Sequence, residues 1–320
     1  MLRIIHQSIS ILNLQNDFLK TPFYGVFFFY LMIEIFQCVL ELFRGNIKMN
    51  KKKGATMKRI ITLLLIICSI FNMNIISAYA SSTAYSWYCK RNSENLQPKL
   101  PSEFSFINKY DTIWINNKRG DNDEHKVAYL TFDAGYENGN ISKILDVLKE
   151  KEAKGAFFIL ENLINSNPEI VLRMQREGHL VCNHTAHHKD MSKVVNIDSF
   201  AEELSSLESS YKELTGCEIS HFYRPPEGRF SEENLKFAQS LGYSTVFWSF
   251  AYADWDNIKQ PSKEYAIKKV LDNMHNGAVL LLHPTSATNA AILGTIIDEM
   301  RNNGYEIGTL DELKKDLSQN

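Results

Sequence analysis

The sequence predicts an α/β fold in which a parallel sheet is covered by helices. Three observations predict it. Mainly apolar runs recur at 127–132, 156–160, 180–182, 219–223, 244–250, 278–282 and 305–310, most of them with the length and β-branched or aromatic content of buried strands. The stretches between them carry apolar residues at helical spacing, as in Ile141, Ile144, Leu145 and Leu148, and later Phe200, Leu204, Leu207, Tyr211 and Leu214. Gly216 and Gly242 stand where two of these helices should end, and Ser231 where one should begin. Strand and helix alternating about seven times implies parallel pairing with helical crossovers. On this pattern an α/β barrel and a doubly wound open sheet fit equally.

The 320 residues, 44% hydrophobic and 22% charged, supply enough apolar material for one large or two small domains. The first 80 residues depart from that average. Pro22 to Phe43 is apolar but is interrupted by Glu34, Gln37 and Glu41, which makes it a poor membrane span. Ile60 to Phe71 follows Lys51–Lys53, Lys58 and Arg59 and precedes Ala78-Tyr79-Ala80, the basic, apolar and cleavage regions of a secretory signal peptide. The expected organisation is therefore a mis-called start or extra apolar segment over 1–48, a signal peptide over 49–80, an N-terminal arm over 81–125 and the main α/β domain over 126–316. Export follows, with a membrane anchor as the alternative.

Beyond residue 80 there remain 26 Lys and Arg against 34 Asp and Glu, a net charge of about −8. An acidic domain without basic clusters is a poor match for nucleic acid. Three cysteines remain, Cys89, Cys182 and Cys217, too few for a disulfide framework and without thiolate-zinc spacing. A monomer is expected.

Polar residues follow five of the apolar runs. Asp133 closes the first, in TFDAGYENG. His184 and His188 follow the third, in NHTAHH. Arg224 closes the fourth, Asp254 follows the fifth, and His283 closes the sixth. A lone Asp at a strand end is most often a helix cap, and a lone His is most often a satisfied core residue. Such residues at the ends of five strands on one rim point instead to a catalytic face, because loops after parallel strands form the ligand crevice. Histidines four apart on a helical turn would aim both imidazoles at one divalent cation. Asp133 suits a base, oriented by the planar fork of Arg224. His283 suits an acid, kept charged by a carboxylate such as Asp254.

TFDAGYENG, HTAHH, RPPEG, ADWD and LLLH, in that order, resemble the five motifs of the polysaccharide deacetylases, the NodB-like carbohydrate esterases. The resemblance runs from Lys126 to about Asp316, and finer features resemble the sporulation branch that de-N-acetylates muramic acid for delta-lactam formation. It implies a distorted (β/α) barrel of about seven or eight units. It also implies that Asp133 is the general base, His283 the general acid, Arg224 and Asp254 their respective partners, and His184 and His188 metal ligands. Trp248, Trp255 and Leu282 would line the pocket for the acetyl methyl. Peptidoglycan glycan strands are the implied partner, and zinc or cobalt the implied metal.

Two positions depart from the family pattern. Ala134 stands where a metal-binding carboxylate is usual, which predicts weak metal binding, and Glu227 stands where an aromatic residue is common. A carboxylate lining the site would disfavour an anionic glycan unless Arg229 or a lysine offsets it. The rival readings are a chitin-oligomer or xylan deacetylase and a glycan-binding module without catalysis.

Overall fold

The computed structural model describes residues 83–90 and 94–319. The apolar segment and signal peptide expected before residue 81 lie outside the described residues. Among the described residues no helix is long and apolar enough to cross a membrane.

In chain order the strands are β1 (Tyr85–Ser86), β2 (Thr112–Ile113), β3 (Lys126–Ala134), β4 (Ala156–Ile159), β5 (Leu180–Asn183), β6 (Ser220–Tyr223), β7 (Arg229–Phe230), β8 (Ser244–Val246), β9 (Phe250–Ala251), β10 (Ala278–Leu282) and β11 (Tyr305–Gly308). The helices are α1 (Ile141–Glu150), α2 (Glu161–Ser166), α3 (Pro168–Arg176), α4 (Ile197–Thr215), α5 (Glu232–Ser240), α6 (Lys263–Leu271), α7 (Ala287–Asn302) and α8 (Leu310–Ser318). The main sheet runs β2-β8-β6-β5-β4-β3-β10-β9, with β11 also on β3, and its named strand pairs are parallel. It curls as a half-barrel with helices packed on it, so the barrel holds and the open doubly wound sheet does not.

Alternation along β3 places it between two apolar layers. Leu130, Phe132 and Ala134 join an outer apolar cluster with Ile144, Leu145 and Ile296, residues of α1 and α7. Val127 and Tyr129 point the other way, into an inner cluster with Phe158, Cys182, Phe222 and Val279. Successive side chains leave a strand on opposite faces, so one strand feeds both layers. The long central strands therefore read as continuous apolar runs.

One expectation about elements needs correction. The run 244–250 is not one strand. It divides into β8 and β9, which pair with β6 and β10 at opposite ends of the sheet order. Between them Phe247 donates to Ile113 O at 2.7 Å and Ser249 donates to Val279 O at 3.0 Å, so this segment links the two edges where a regular barrel would zip a further strand. Residues of the N-terminal arm join the sheets: β2 extends the main sheet beside β8 and β1 pairs with β7. Trp87 stacks on Phe247 at a centroid distance of 4.4 Å and its indole N–H donates to Trp248 O at 2.8 Å.

The expected caps are present. Gly216 ends α4 at φ 72°, left-handed as a C-cap glycine should be, and the Ser231 hydroxyl accepts from Asn234 N at the start of α5. Cys89, Cys182 and Cys217 are free thiols.

Candidate active site

The C-terminal ends of β3, β5, β6 and β10, with the segment after β9, surround a cavity of about 680 Å³. Asp133, His184, His188, Glu227, Trp248, Trp255 and His283 line it.

Asp133 is not a helix cap. The first amide of α1, Ile141 N–H, donates instead to Glu137 Oε2 at 2.9 Å. Asp133 Oδ1 accepts from Arg224 Nη1 at 2.7 Å. The wholly buried Arg224 also donates from Nη2 to Thr131 Oγ1 at 2.8 Å and from Nε to Val246 O at 3.1 Å. Its guanidinium lies 4.1 Å from the Phe158 ring centroid. Every arm of the fork is engaged, so Asp133 receives a fixed partner. Burial works to raise the Asp133 carboxyl; the charge and hydrogen bond of Arg224, helped by the charge of His283, outweigh it and hold the group below its ordinary range.

His283 is built the opposite way. Its Nδ1 lies 2.7 Å from Asp254 Oδ1, and its backbone N–H donates to Asp254 Oδ2 at 2.8 Å. Asn289 Nδ2 donates to the same Oδ2 at 2.6 Å, which fixes the carboxylate. Burial works to lower His283, but the hydrogen bond and charge of Asp254, helped by Asp133, raise it above the usual histidine value. With Nδ1 engaged, Nε2 is the nitrogen left for the cavity. Trp255, 61% exposed, meets the His283 ring edge-on at 6.2 Å.

His184 and His188 come together with ring centroids 5.2 Å apart, but not on a helical turn. The segment after β5 is irregular, and Thr185 and His188 have left-handed φ values of 73° and 55°. The four-residue spacing succeeds through loop strain rather than helical period.

His184 Nδ1 faces Arg224 O at 2.8 Å, which makes Nδ1 the N–H donor and leaves Nε2 as a bare acceptor. Burial pushes this ring down to about 4, so it is neutral near neutral pH. That Nε2 stands 3.6 Å from Asp133 Oδ2, two acceptors facing each other, as a cation or a water proton would require. The donor chemistry thus suits a divalent ion at the two imidazoles. Among the described residues, however, no three His, Cys, Asp or Glu are gathered closely enough to hold one. Ala134 is wholly buried in the outer apolar cluster, on the face of β3 opposite Asp133.

Leu282 does not line the pocket. It belongs to the outer cluster, and Leu281, one residue earlier, lines the cavity. In a strand a shift of one residue exchanges faces. Tyr252 and Thr285 also line the cavity, and Thr131 and Asn289 hold its charged groups. Thr131 was detectable, since it lies two residues before Asp133 and so on the same face. Asn289 lies in the first turn of α7 and gives no sequence signal. Glu227 sits in a turn at φ 56°, and Arg229 Nε pairs with it at 3.2 Å, which supplies the offset the sequence called for.

A model of the polysaccharide deacetylase family matches residues 120–246. The peptidoglycan-N-acetylmuramic acid deacetylase PdaA of Bacillus subtilis is 38% identical over 229 residues, 71% of this chain and 85% of that protein. The chain belongs to the polysaccharide deacetylase family. Among solved structures, that of Bacillus subtilis PdaA, a family 4 carbohydrate esterase, matches with a TM-score of 0.70 and 36% identity over 75% of this chain and 100% of that one. A family 4 carbohydrate esterase from Bacillus anthracis matches with a TM-score of 0.60 and 35% identity over 74% of this chain and 98% of that one. Deacetylases of this family generally use a divalent metal, against which the two-histidine wall seen here is an incomplete ligand set.

Proposed function

We propose that this polysaccharide deacetylase removes the acetyl group from N-acetylmuramic acid in peptidoglycan, releasing acetate and freeing the amine for delta-lactam formation in the spore cortex. One observation carries the reading: a single cavity holds a carboxylate kept ionised by Arg224 and an imidazole kept protonated by Asp254. Groups whose environments push them apart in this way are suited to act as base and acid on one substrate.

In the reaction, Asp133 Oδ2 takes a proton from water, and the oxygen attacks the acetamide carbon. His283 Nε2–H then donates to the sugar nitrogen as the carbon–nitrogen bond breaks. The proton stays on His283 until that moment because Asp254 holds Nδ1. Trp248, Leu281 and Trp255 supply apolar surface for the acetyl group and the sugar faces. A divalent ion, zinc or cobalt, held weakly at His184 and His188, would polarise the acetyl carbonyl. The substrate assignment draws on the similarity to the muramic acid deacetylase, and the protein is read as exported and acting on cell-wall glycan strands.

The test is acetate release from muramic-acid-containing glycan, with and without stem peptides, beside chitin oligomers and acetylated xylan. Release from the muramic glycan at the highest kcat/KM supports the assignment. A preference for substrates lacking the lactyl ether would replace it with the chitin or xylan reading, and binding without acetate release would indicate a glycan-binding module.

A further inference from the structure

Glu203 is a buried carboxylate that the mechanism does not use. It lies in α4 with 3% of its surface exposed, yet its side chain turns toward the loop carrying the site histidines. Its Oε2 accepts from the backbone N–H of His187 at 3.1 Å. Its Oε1 meets His187 Nδ1 at 3.0 Å and Lys189 Nζ at 2.6 Å. Its backbone carbonyl accepts from Ala186 N–H at 2.9 Å. Ala186, His187 and Lys189 are thus all tied to one residue of a neighbouring helix, and His188 lies among them.

That loop needs an outside hold. Thr185 and His188 adopt left-handed backbone at φ 73° and 55°, which non-glycine residues keep only where surrounding contacts impose it. Inside the loop, Thr185 N–H donates to Asn183 Oδ1 at 2.9 Å and His188 N–H to Thr185 Oγ1 at 3.0 Å. The first of these bonds, with that from Glu161 N–H to Ala186 O at 3.3 Å, ties the start of the loop to β5 and α2; the stretch that carries His187 and Lys189 is held by Glu203. Exposed lysines and histidines rarely fix a backbone by themselves, since the rings and stems are mobile; here the fixed partner is the buried carboxylate on a nineteen-residue helix.

We infer that Glu203 is a positioning residue that holds the 185–189 loop so that the His188 ring stands against His184 in the cavity. It touches no substrate and acts through His188. The inference rests on the reading of His188 as part of the site.

The test has two readouts on the full chain. The His188 ring packs edge-on to His184, so its ring-proton NMR resonances report that placement, and they are assigned by their loss in His188→Ala. In folded Glu203→Ala, these resonances should move to the position of a solvent-exposed histidine while those of His283 stay. The kcat/KM for acetate release should fall roughly 10 to 100-fold, the usual effect of losing a residue that orients a site ligand. Glu203→Gln keeps an oxygen for the His187 amide and should restore both readouts to within a few-fold of wild type. It also serves where the alanine variant fails to fold, because a glutamine variant with no recovery relative to the folded wild type, in the absence of unfolding, would contradict the role of that amide contact. Unmoved His188 resonances in Glu203→Ala, or a rate loss without their movement, would overturn the inference. Resonances that move as expected in a protein with no deacetylase activity would instead overturn the functional reading and leave this one standing.

Discussion

Asp133 and His283 are both buried near one cavity, and each carries the charge that burial opposes. For Asp133 the Arg224 fork outweighs burial; for His283 the Asp254 hydrogen bond does. The rate profile should therefore be broad, with its acid limb set by protonation of Asp133 below the ordinary carboxylate range. Its alkaline limb is set by deprotonation of His283 above the ordinary histidine value. Asp254→Asn keeps an acceptor for Nδ1 but removes the charge, so His283 should lose its proton at lower pH and the alkaline limb should move down. Measuring kcat/KM against pH for both proteins checks this, and superimposable alkaline limbs would remove Asp254 from the account. Asp133, Arg224, Asp254 and His283 were legible in the sequence because each follows an apolar run at the same end. Asn289 was not, because it reaches Asp254 from a helix 35 residues further along the chain.

At the scale of elements, the strands were legible as apolar runs and several helices as periodic ones, while register was not. An unbroken LLLH gives no alternation from which to read faces, so nothing local distinguishes Leu282, the pocket residue implied by the resemblance, from Leu281. The structure separates them, and the separation is testable. Leu282→Ala removes packing from the outer cluster and should cost about 2 to 5 kcal/mol of stability while leaving kinetics near wild type. Leu281→Ala, on the cavity wall, should alter KM or kcat. Urea unfolding and steady-state kinetics on both variants check this, and equal kinetic effects would contradict the assigned register. The split of 244–250 into β8 and β9 was illegible for a related reason. Composition marks the stretch as strand-forming, but nothing local says that its two ends serve opposite edges of a curled sheet.

Across the whole molecule, buried neutral histidines set the response to acid. Burial holds His179 and His184 down at about 4, against about 6.5 for an unfolded histidine. The unfolded chain thus takes up protons that the folded chain refuses. The stability these groups contribute is complete above the unfolded value and is lost as pH falls from about 6.5 toward 4, by on the order of 3 kcal/mol for each. His283 runs the other way: its raised value gives stability at low pH that is lost as pH rises through it. Unfolding midpoints between pH 7 and 4 should therefore decline steeply. His179→Asn retains an acceptor for Gly155 N–H, which His179 Nδ1 takes at 3.3 Å, but cannot titrate, so its decline should be shallower. Equal slopes in the two proteins would show that His179 does not carry the effect.

Asp133 is the base of the proposed deacetylation. Asp133→Asn preserves shape and an acceptor for Arg224 but cannot take a proton from water. Acetate release from muramic-acid-containing glycan by this variant is the most direct measurement. A fall of ~100-fold or more in kcat with an unchanged fold is expected; acetate release near the wild-type rate would show that Asp133 is not the base.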